Sequence, residues 1–404
     1  MILLEALLLL ASLALLLPVI YLLGLTLLSG SLRTPEAGAS STRFDIIVPA
    51  HDEEAGIART VRNLLALDYP RGRFRVIVVA DNCRDQTAER ARLAGADVLV
   101  REDAELRGKG YALAAAFARS LADRKATAVV VVDADTTVSA NLLTAFEARL
   151  TRGAAAAQAH YGVANARDSW RTRLMAIAFG AFHIVRSRAR ERLGVSCGLR
   201  GNGMCFSHAL LSEVPHRAFS LVEDLEYGVR LGERGHRVHY AHEAEVLGEM
   251  VSGEKASRSQ RRRWEGGRLQ MAREQGPALL LGALRARSGL LLDLAMDVLV
   301  PPLSMLAGPA LAGLALSAWL ARGADHPVLA LPLFAFEVAA LVLYVLRGWW
   351  LSGMGARGLL DLAAAPFYVA WKLKLAVLPA REQKGAWVRT SREGGPESPP
   401  PARP

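Results

Sequence analysis

A long apolar stretch lies near the start of the chain. Residues Ala6 to Leu28 run for 23 positions without a charge, and about 20 residues suffice to span the hydrocarbon core of a bilayer. The pattern predicts a membrane anchor within residues 1–30. A cleaved signal peptide is the alternative, but this stretch is longer than the apolar region of a signal peptide and no basic segment precedes it. Glu5 precedes the stretch and Arg33 follows it, so the positive-inside rule predicts that the following domain is cytoplasmic.

Apolar character returns beyond residue 288. Stretches 302–321 and 327–346 are each long enough to span a membrane and are joined by a short loop, which predicts a transmembrane hairpin. Glu337 lies in the middle of the second span. An ionisable residue at this depth is a functional candidate, and its alternative is a structural carboxyl that is protonated or paired with another helix.

The other apolar segments of this region carry charges. Leu290 to Val300 places Asp293 and Asp297 on one helix face, which favours a helix at the membrane interface over a span. If Leu359 to Leu378 crossed the membrane, several basic residues would lie outside the cytoplasm. We therefore expect this segment to be interfacial or re-entrant. The predicted membrane region therefore covers residues 288–380. The Pro-rich and Gly-rich segment 391–404 is expected to be disordered, and the Arg-containing segment 167–192 is expected on the membrane surface.

Between the apolar ends, residues 42–276 have the pattern of a soluble α/β domain. Short β-branched runs at 44–48, 76–80 and 128–132 alternate with helical patterns at 55–67, 85–94 and 110–121. Such runs, separated by helices, are typical of a buried and mostly parallel sheet built from βαβ units.

Each of these strands ends in acidic residues. Asp52 and Glu53 follow the first, Asp81 follows the second, and Asp133 and Asp135 follow the third. One such cluster is explained by a turn or a helix cap, but all three would fall at one edge of a parallel sheet, where ligands bind. That concentration of negative charge requires a cation. The Asp-x-Asp pair offers the oxygen ligands that Mg²⁺ or Mn²⁺ prefers.

Three further groups carry candidate chemistry. Lys109, between two glycines, either reaches a phosphate or lies in a surface loop, and no complete dinucleotide-binding glycine motif surrounds it. Glu223 and Asp224 open an amphipathic helix, where they either favour the helix N-terminus or supply a general base. Gln260, Arg263 and Trp264 form the last group and would share one helix face. They either bind a diphosphate and stack on a sugar or belong to a solvated basic surface.

Composition narrows the function classes. Hydrophobic residues make up 52% of the 404 residues, which excludes a disordered chain, and charged residues at 22% imply that the apolar excess is local. The three cysteines have no CxxC spacing, which argues against a zinc site and a disulfide framework. The net charge of +10 comes mainly from arginine, which suits phosphate contacts. No basic stripe with interleaved aromatics is present, so a nucleic-acid partner is not expected.

Taken together, the motifs resemble those of the membrane-bound family 2 glycosyltransferases, which include cellulose and hyaluronan synthases. The resemblance covers about residues 43 to 275. Its motifs occur in the family's order: the opening at Pro49 to Glu54, then Asp81, the Asp-x-Asp at 133–135, Glu223-Asp224, and the Gln-x-x-Arg-Trp at 260–264. Asp52 replaces a more usual Asn, and Val222 replaces a Thr found in many members.

The resemblance implies a GT-A fold, a UDP-sugar donor, a divalent metal (Mg²⁺ or Mn²⁺) and inversion at the anomeric carbon. It implies that Asp81 contacts the base with Glu53 near the nucleoside, and that Asp133 and Asp135 hold the metal at the diphosphate. By the same resemblance Asp224 is the general base. The remaining implied contacts, to diphosphate and acceptor, come from Gln260, Arg263 and Trp264, with Glu223 beside them.

The predicted function is transfer of a sugar from a UDP-sugar to a lipid-linked or polysaccharide acceptor at the cytoplasmic face of the membrane, in contact with membrane lipids. About three spans favour a single addition over polymer export. A processive synthase working with accessory subunits is one alternative. A membrane-tethered regulator that binds nucleotide sugars is another, although it would not need Asp224 or Trp264.

Overall fold

The computed structural model describes residues 2–36, 38, 40–250 and 266–364. Described residues within Leu32–Thr172 and Val195–Met271 form one compact unit, the sheet unit. Those within Met1–Ser31, Arg173–Gly194 and Ala272–Glu382 form a second, the helical unit. The predicted tail at 391–404 and most of the segment 359–378 lie outside the described residues.

The strands of the sheet unit form one eight-stranded sheet in the order β3-β2-β1-β4-β7-β6-β8-β5. In chain order the strands are β1 (Phe44–Ala50), β2 (Phe74–Asp81), β3 (Asp97–Arg101), β4 (Ala128–Val131), β5 (Thr136–Val138), β6 (Ala156–Val163), β7 (Met204–Ser207) and β8 (Val238–Gly248).

The parallel half of the sheet is the part that the sequence predicts. β1 pairs in parallel with both β2 and β4, and β3 adds in parallel to β2. The other half is mixed, because β7 is antiparallel to β4 and β6, and β5 is antiparallel to β8. β6 pairs in parallel with β8. The expected α/β fold with a mostly parallel sheet is confirmed, and the antiparallel pairs lie in the half that contains β5 to β8.

The helices of the described residues are, in chain order, α1 (Ile2–Leu28), α2 (Ile57–Leu65), α3 (Thr87–Leu93), α4 (Lys109–Asp123), α5 (Leu142–Leu150), α6 (Trp170–Phe179), α7 (Arg186–Arg192), α8 (His208–Glu213), α9 (Glu223–Glu233), α10 (266–274), α11 (Gly276–Ala286), α12 (Gly289–Leu299), α13 (Leu303–Leu320), α14 (Ala330–Ser352) and α15 (Gly355–Asp361). A π-helical segment, Gly180–Val185, connects α6 to α7.

Helices cover both faces of the sheet, which explains why its central strands are mostly apolar on both sides. Along β1, Ile46 and Val48 point into a core with α2 and α5, whereas Ile47 points into a second core with α4 and α9. This alternation follows from the two-residue repeat of a strand. The predicted helices at 55–67, 85–94 and 110–121 correspond to α2, α3 and α4.

The helical unit contains three helices that are long and apolar enough to cross a membrane, namely α1, α13 and α14. α13 and α14 are the predicted hairpin. At one end of the unit the Glu5 carboxylate contacts His326 at 2.9 Å, and at the other Arg347 donates to the Ser29 carbonyl at 3.0 Å. Glu337 is fully buried and accepts a hydrogen bond from Ser12 of α1 at 2.8 Å. This contact favours the structural reading of Glu337, a carboxyl paired with another helix.

A buried ionic cluster joins α7 to α12 in the helical unit. Arg190, with 0% exposure, contacts Asp293 at 2.6 Å and Asp297 at 3.0 Å, and Arg186 contacts Asp297 at 3.2 Å. Tyr21 of α1 donates to Asp293 at 2.9 Å. Asp293 and Asp297 share one helix face as predicted. The expectation that the segment 167–192 lies on a surface is wrong for Arg186 and Arg190, because their charge is neutralised inside the protein.

His216 in the sheet unit is packed among aromatic side chains. Its ring packs against Tyr227 at 4.8 Å and Phe117 at 5.4 Å between centroids, and its Nδ1 is buried with no hydrogen-bond partner among the described residues. Burial lowers the pKa of His216 to about 4 from 6.5. Between these values the unfolded chain binds a proton that the folded protein does not.

We therefore expect the free energy of unfolding to be unaffected by His216 above pH 6.5 and to decrease as the pH falls towards 4. The decrease should be on the order of 2 kcal/mol after allowance for partial solvent contact. Thermal unfolding of the purified protein at pH 7.5 and pH 5 tests this. The His216→Phe variant should lose part of the difference between the two pH values. An unchanged difference would show that another group is responsible.

Candidate active site

The acidic residues predicted from the sequence converge at the carboxyl edge of the sheet unit. Asp133 and Asp135 lie in the short connection between β4 and β5. Glu223 and Asp224 are the first two residues of α9, where the free backbone N–H groups favour negative charge. Lys109 is the first residue of α4, so it begins a helix rather than lying in a surface loop.

Lys109 connects these elements directly. Its ammonium donates to Asp133 Oδ1 at 2.6 Å and to the Gly201 carbonyl at 2.6 Å, and it lies 3.8 Å from Glu223 Oε1. Its side chain is 18% exposed. The sequence predicted a cation near a phosphate, and the structure places that cation among carboxylates. Three carboxylates, those of Asp133, Glu223 and Asp224, act on this ammonium, and Arg200 also acts on Asp224, so carboxylates outnumber cations in this part of the protein.

The loop containing Gly201 holds one wall of the site. Asn202 Oδ1 accepts from the Asp133 backbone N–H at 3.1 Å, and Asn202 Nδ2 donates to Thr136 at 2.7 Å. Buried Gln158 donates to the Asn202 carbonyl at 2.7 Å. Gly201 has φ +77°, and a Cβ there would lie 3.4 Å from Asp224 Oδ2. Glycine therefore lets the backbone run beside the Asp224 carboxylate while its carbonyl accepts from Lys109.

The site perturbs the ionisation of its members. Burial raises the pKa of Glu223 and of Asp224, although Lys109 opposes the rise in both. For Lys109, burial would lower the pKa, but the neighbouring Asp133 and Glu223 carboxylates raise it above its ordinary value. Burial together with Asp133 and Asp135 raises the pKa of Tyr161 well above 10. Raised carboxyl pKa values next to a retained ammonium are typical of sites that accept or deliver protons.

Asp81 ends β2 and is 1% exposed. Its Oδ1 accepts from Arg101 at 2.6 Å and its Oδ2 accepts from Asn82 at 3.1 Å. Arg101 stands opposite Asp81 in the register of β2 and β3. The sequence alone does not reveal this partner, because Arg101 opens a polar stretch, although the run Val98-Leu99-Val100 just before it indicates a strand.

Glu53 lies in the turn after β1, where its backbone N–H donates to Thr87 at 2.8 Å. Nearby, the ligand atoms of Asp52, Cys83 and Asp85 lie within 4.8 Å of one another. The carboxylates of this group serve the local turns, since Asp52 accepts from the Arg84 N–H at 2.7 Å and Asp85 from the Thr87 N–H at 2.9 Å. These contacts account for the carboxylates of Asp52 and Asp85 without a metal.

The donor set at Asp133 and Asp135 fits a divalent metal. Both supply carboxylate oxygens, the ligands of Mg²⁺ and Mn²⁺, and a cation already contacts Asp133 in the form of Lys109. The predicted diphosphate and acceptor contacts from Gln260, Arg263 and Trp264 lie outside the described residues.

Comparison with known proteins gives the family. Residues 42–267 match the family described as "Glycosyltransferase like family 2". A β-monoglucosyldiacylglycerol synthase of Trichormus variabilis is 31% identical over 163 residues, which cover 39% of this chain and 34% of that protein. A probable glycosyltransferase of Bacillus subtilis is 24% identical over 207 residues, covering 49% of this chain and 48% of that protein. The matched region spans less than half the length of either relative.

A solved structure supports the same fold. A mannosyltransferase from Pyrobaculum calidifontis, in complex with GDP-mannose and Mn²⁺, is similar with a TM-score of 0.55 and 19% identity over 86% of this chain and 99% of that one. The GT-A fold expected from the motifs is thereby confirmed. Since the family match covers more than half of the chain and contains the strands and carboxylates described above, this protein belongs to glycosyltransferase-like family 2 and is a glycosyltransferase.

Proposed function

We propose that this enzyme transfers a single sugar from a UDP-sugar to a hydroxyl group of a membrane lipid, with inversion at the anomeric carbon. The observation that carries the proposal is the convergence of Asp133, Lys109 and the Glu223-Asp224 pair at one point of the sheet edge. A donor diphosphate needs cations there, and an acceptor hydroxyl needs a base. The name of the Trichormus relative, a β-monoglucosyldiacylglycerol synthase, supports a lipid acceptor.

In this mechanism Asp224 accepts the proton of the acceptor hydroxyl as its oxygen forms a bond to the anomeric carbon. The bond from that carbon to the diphosphate breaks at the same time, and the electron pair leaves with the UDP. The positive charge that develops on the sugar is stabilised by the surrounding carboxylates. Lys109 lies within reach of the departing diphosphate. Asp133 and Glu223 lie beside Lys109 and raise the pKa of its ammonium.

Asp133 and Asp135 would hold the divalent metal, which supplies positive charge to the diphosphate when bound. The Mn²⁺ in the complex of the Pyrobaculum mannosyltransferase supports this assignment. Asp81 and Glu53 would contact the base and nucleoside, and Asp81 would then share or exchange its bond to Arg101. Gln260, Arg263 and Trp264 would bind the diphosphate and the acceptor.

We place the sheet unit on the cytoplasmic side of the membrane. The support is the positive-inside pattern around α1, with Glu5 before it and Arg33 after it. Labelling of single cysteines introduced at exposed sheet-unit positions such as Leu93, in intact cells and in inverted vesicles, tests this assignment. Labelling only in inverted vesicles is expected, and labelling in intact cells would overturn it.

Two other functions remain distinguishable by experiment. A processive synthase with accessory subunits would release a long polymer. A regulator would bind nucleotide sugar without transfer, but the neighbouring carboxyls of Glu223 and Asp224, whose pKa values are both raised, favour an enzyme.

The experiment combines the detergent-purified protein with labelled UDP- and GDP-sugars, native membrane lipids, and either Mn²⁺ or a chelator. We expect a lipid-soluble product that carries one sugar, formed from a UDP-sugar only when metal is present. A water-soluble polymer would support the synthase, and donor binding without any product would support the regulator.

Lys109 gives a separate prediction about the metal. Its ammonium competes for Asp133 Oδ1, so Lys109→Met should bind Mn²⁺ about tenfold more tightly than wild type in the absence of nucleotide. Electron paramagnetic resonance of free Mn²⁺ measures the affinity. The same change at the exposed Lys125 is the control, with no expected effect. Weaker Mn²⁺ binding by Lys109→Met would contradict the assignment of Asp133 to the metal.

A further inference from the structure

Two exposed apolar side chains stand immediately before the candidate general base. Phe219 is 43% exposed and Leu221 is 56% exposed, and the segment that carries them ends at Glu223 and Asp224, the first turn of α9. We call Phe219 and Leu221 the apolar lip. Single exposed apolar residues are ordinary on a protein surface, but two on one short segment beside catalytic carboxylates call for a functional explanation.

The apolar lip is held in a fixed position relative to the carboxylates. The Phe219 ring stacks on Tyr111 of α4 with centroids 4.2 Å apart and planes 7° apart. A Cβ on Gly110 would lie 2.2 Å from the Ala218 carbonyl, so only glycine permits this close approach of the two backbones. Lys109, the preceding residue, contacts Asp133. The same helix turn therefore positions both the lip and the ammonium of the site.

The side chains of the apolar lip favour a hydrocarbon chain over a glycan as the part of the acceptor that they contact. A glycan is bound by hydrogen-bonding groups and by open aromatic faces. Leu221 offers neither, and one face of Phe219 is already covered by Tyr111. Aliphatic and aromatic surface of this kind gains free energy by contact with a hydrocarbon chain.

The charge of the site narrows the acceptor further. Asp133, Glu223 and Asp224 outnumber the cations that act on them, the Lys109 ammonium and the Arg200 guanidinium. The metal proposed at Asp133 and Asp135 would offset the diphosphate of the donor, so this excess of negative charge remains when the donor is bound. An acceptor phosphate would be repelled by these groups, whereas an uncharged hydroxyl would not.

We propose that Phe219 and Leu221 bind the hydrocarbon chain of an uncharged lipid acceptor and hold its hydroxyl at Asp224. This inference rests on the proposed function and specifies its acceptor. Because the described part of the chain includes three helices long and apolar enough to span a membrane, such a lipid is available to the enzyme in its own bilayer.

The test measures KM and kcat of the full-length purified protein in mixed micelles with three acceptors: dioleoylglycerol, dihexanoylglycerol and a polyprenyl phosphate. We expect wild type to have a KM at least about tenfold lower for dioleoylglycerol than for dihexanoylglycerol, and to use the phosphate poorly. Leu221→Ser should raise the KM for dioleoylglycerol several-fold and reduce the preference for long chains. Phe219→Ser combined with Leu221→Ser should remove most of that preference.

Leu93→Ser is the matched control, because Leu93 is 81% exposed on α3 and the change should leave both KM values unaltered. Folding is checked by thermal unfolding, and if the double variant fails to fold, Leu221→Ser alone decides. An unchanged chain-length preference in a folded Leu221→Ser variant, or better use of the phosphate, would overturn the inference. Failure of wild type to glycosylate any lipid would instead overturn the proposed function.

Discussion

Asp224→Asn is expected to reduce sugar transfer by about 10² to 10⁴-fold while UDP affinity stays within about twofold of wild type. The amide keeps the size of the carboxylate but cannot accept the acceptor proton. Asp224 is partly shielded from solvent beside Gly201, so a water-exposed base cannot easily replace it. Steady-state transfer and calorimetric UDP binding measure the two quantities on the same preparation.

Glu233→Gln is the control for this variant, since it makes the same change of charge at an exposed carboxylate of the same helix. It should retain full activity. Glu223→Gln distinguishes the roles of the two neighbouring carboxylates. It removes one of the negative charges beside Lys109 and should lower the rate of transfer less than Asp224→Asn does. Transfer by Asp224→Asn within tenfold of wild type would show that Asp224 is not the base, and a larger loss in Glu223→Gln would assign the role to Glu223.

The second large effect concerns stability. Arg190→Met should lower the free energy of unfolding by about 3–5 kcal/mol, which corresponds to a fall in the thermal midpoint on the order of 10 °C. The change removes the guanidinium that contacts both Asp293 and Asp297 inside the protein, while the contact of Arg186 to Asp297 remains. Differential scanning fluorimetry in detergent measures the midpoint.

Two further variants serve as controls for Arg190→Met. Arg285→Met makes the same substitution at an exposed position of α11 and should change stability by less than about 0.5 kcal/mol. Arg190→Met combined with Asp293→Asn restores charge balance, because Arg186 and Asp297 still form a pair, so much of the lost stability should return. If Arg190→Met is as stable as Arg285→Met, the cluster does not stabilise the fold.

The sequence was sufficient to predict the parts of the fold that depend on local pattern. Strands β1, β2 and β4 are continuous β-branched runs, and each was recognised to within a few residues. The Asp-x-Asp pair and Glu223-Asp224 were recognised because strand ends and helix starts are marked by neighbouring residues. Their common location at the sheet edge follows from the parallel arrangement alone.

Contacts between distant residues were not predictable in the same way. The Lys109 contact to Asp133 and to the Gly201 carbonyl depends on how a loop 92 residues further along is folded. Arg101 contacts Asp81 because the register of β3 against β2 places the two residues opposite each other. β3 is a short strand whose residues are partly or fully exposed, so its pattern is weak. Arg186 and Arg190 belong to a segment that looks like a basic surface, and only the packing of α7 against α12 shows that their charge is neutralised in the interior.

The structure shows where part of the positive charge of the protein lies. Part of it is neutralised in buried pairs, as at Arg190 and Arg101, and one lysine lies within the acidic site. The excess of arginine is thus a structural property of both units as well as a possible source of phosphate contacts, and it gives no reason to invoke nucleic acid.

Mass spectrometry of the lipid fraction, after incubation of the purified enzyme with UDP-glucose, Mn²⁺ and dioleoylglycerol, tests the central claim most directly. The predicted result is a glycolipid heavier than the acceptor by one hexose unit, absent with Asp224→Asn and absent with a chelator. UDP-galactose and UDP-N-acetylglucosamine are run in parallel, so that a different donor preference is detected. No glycolipid from any of these donors, or one that forms equally with Asp224→Asn, would contradict the account.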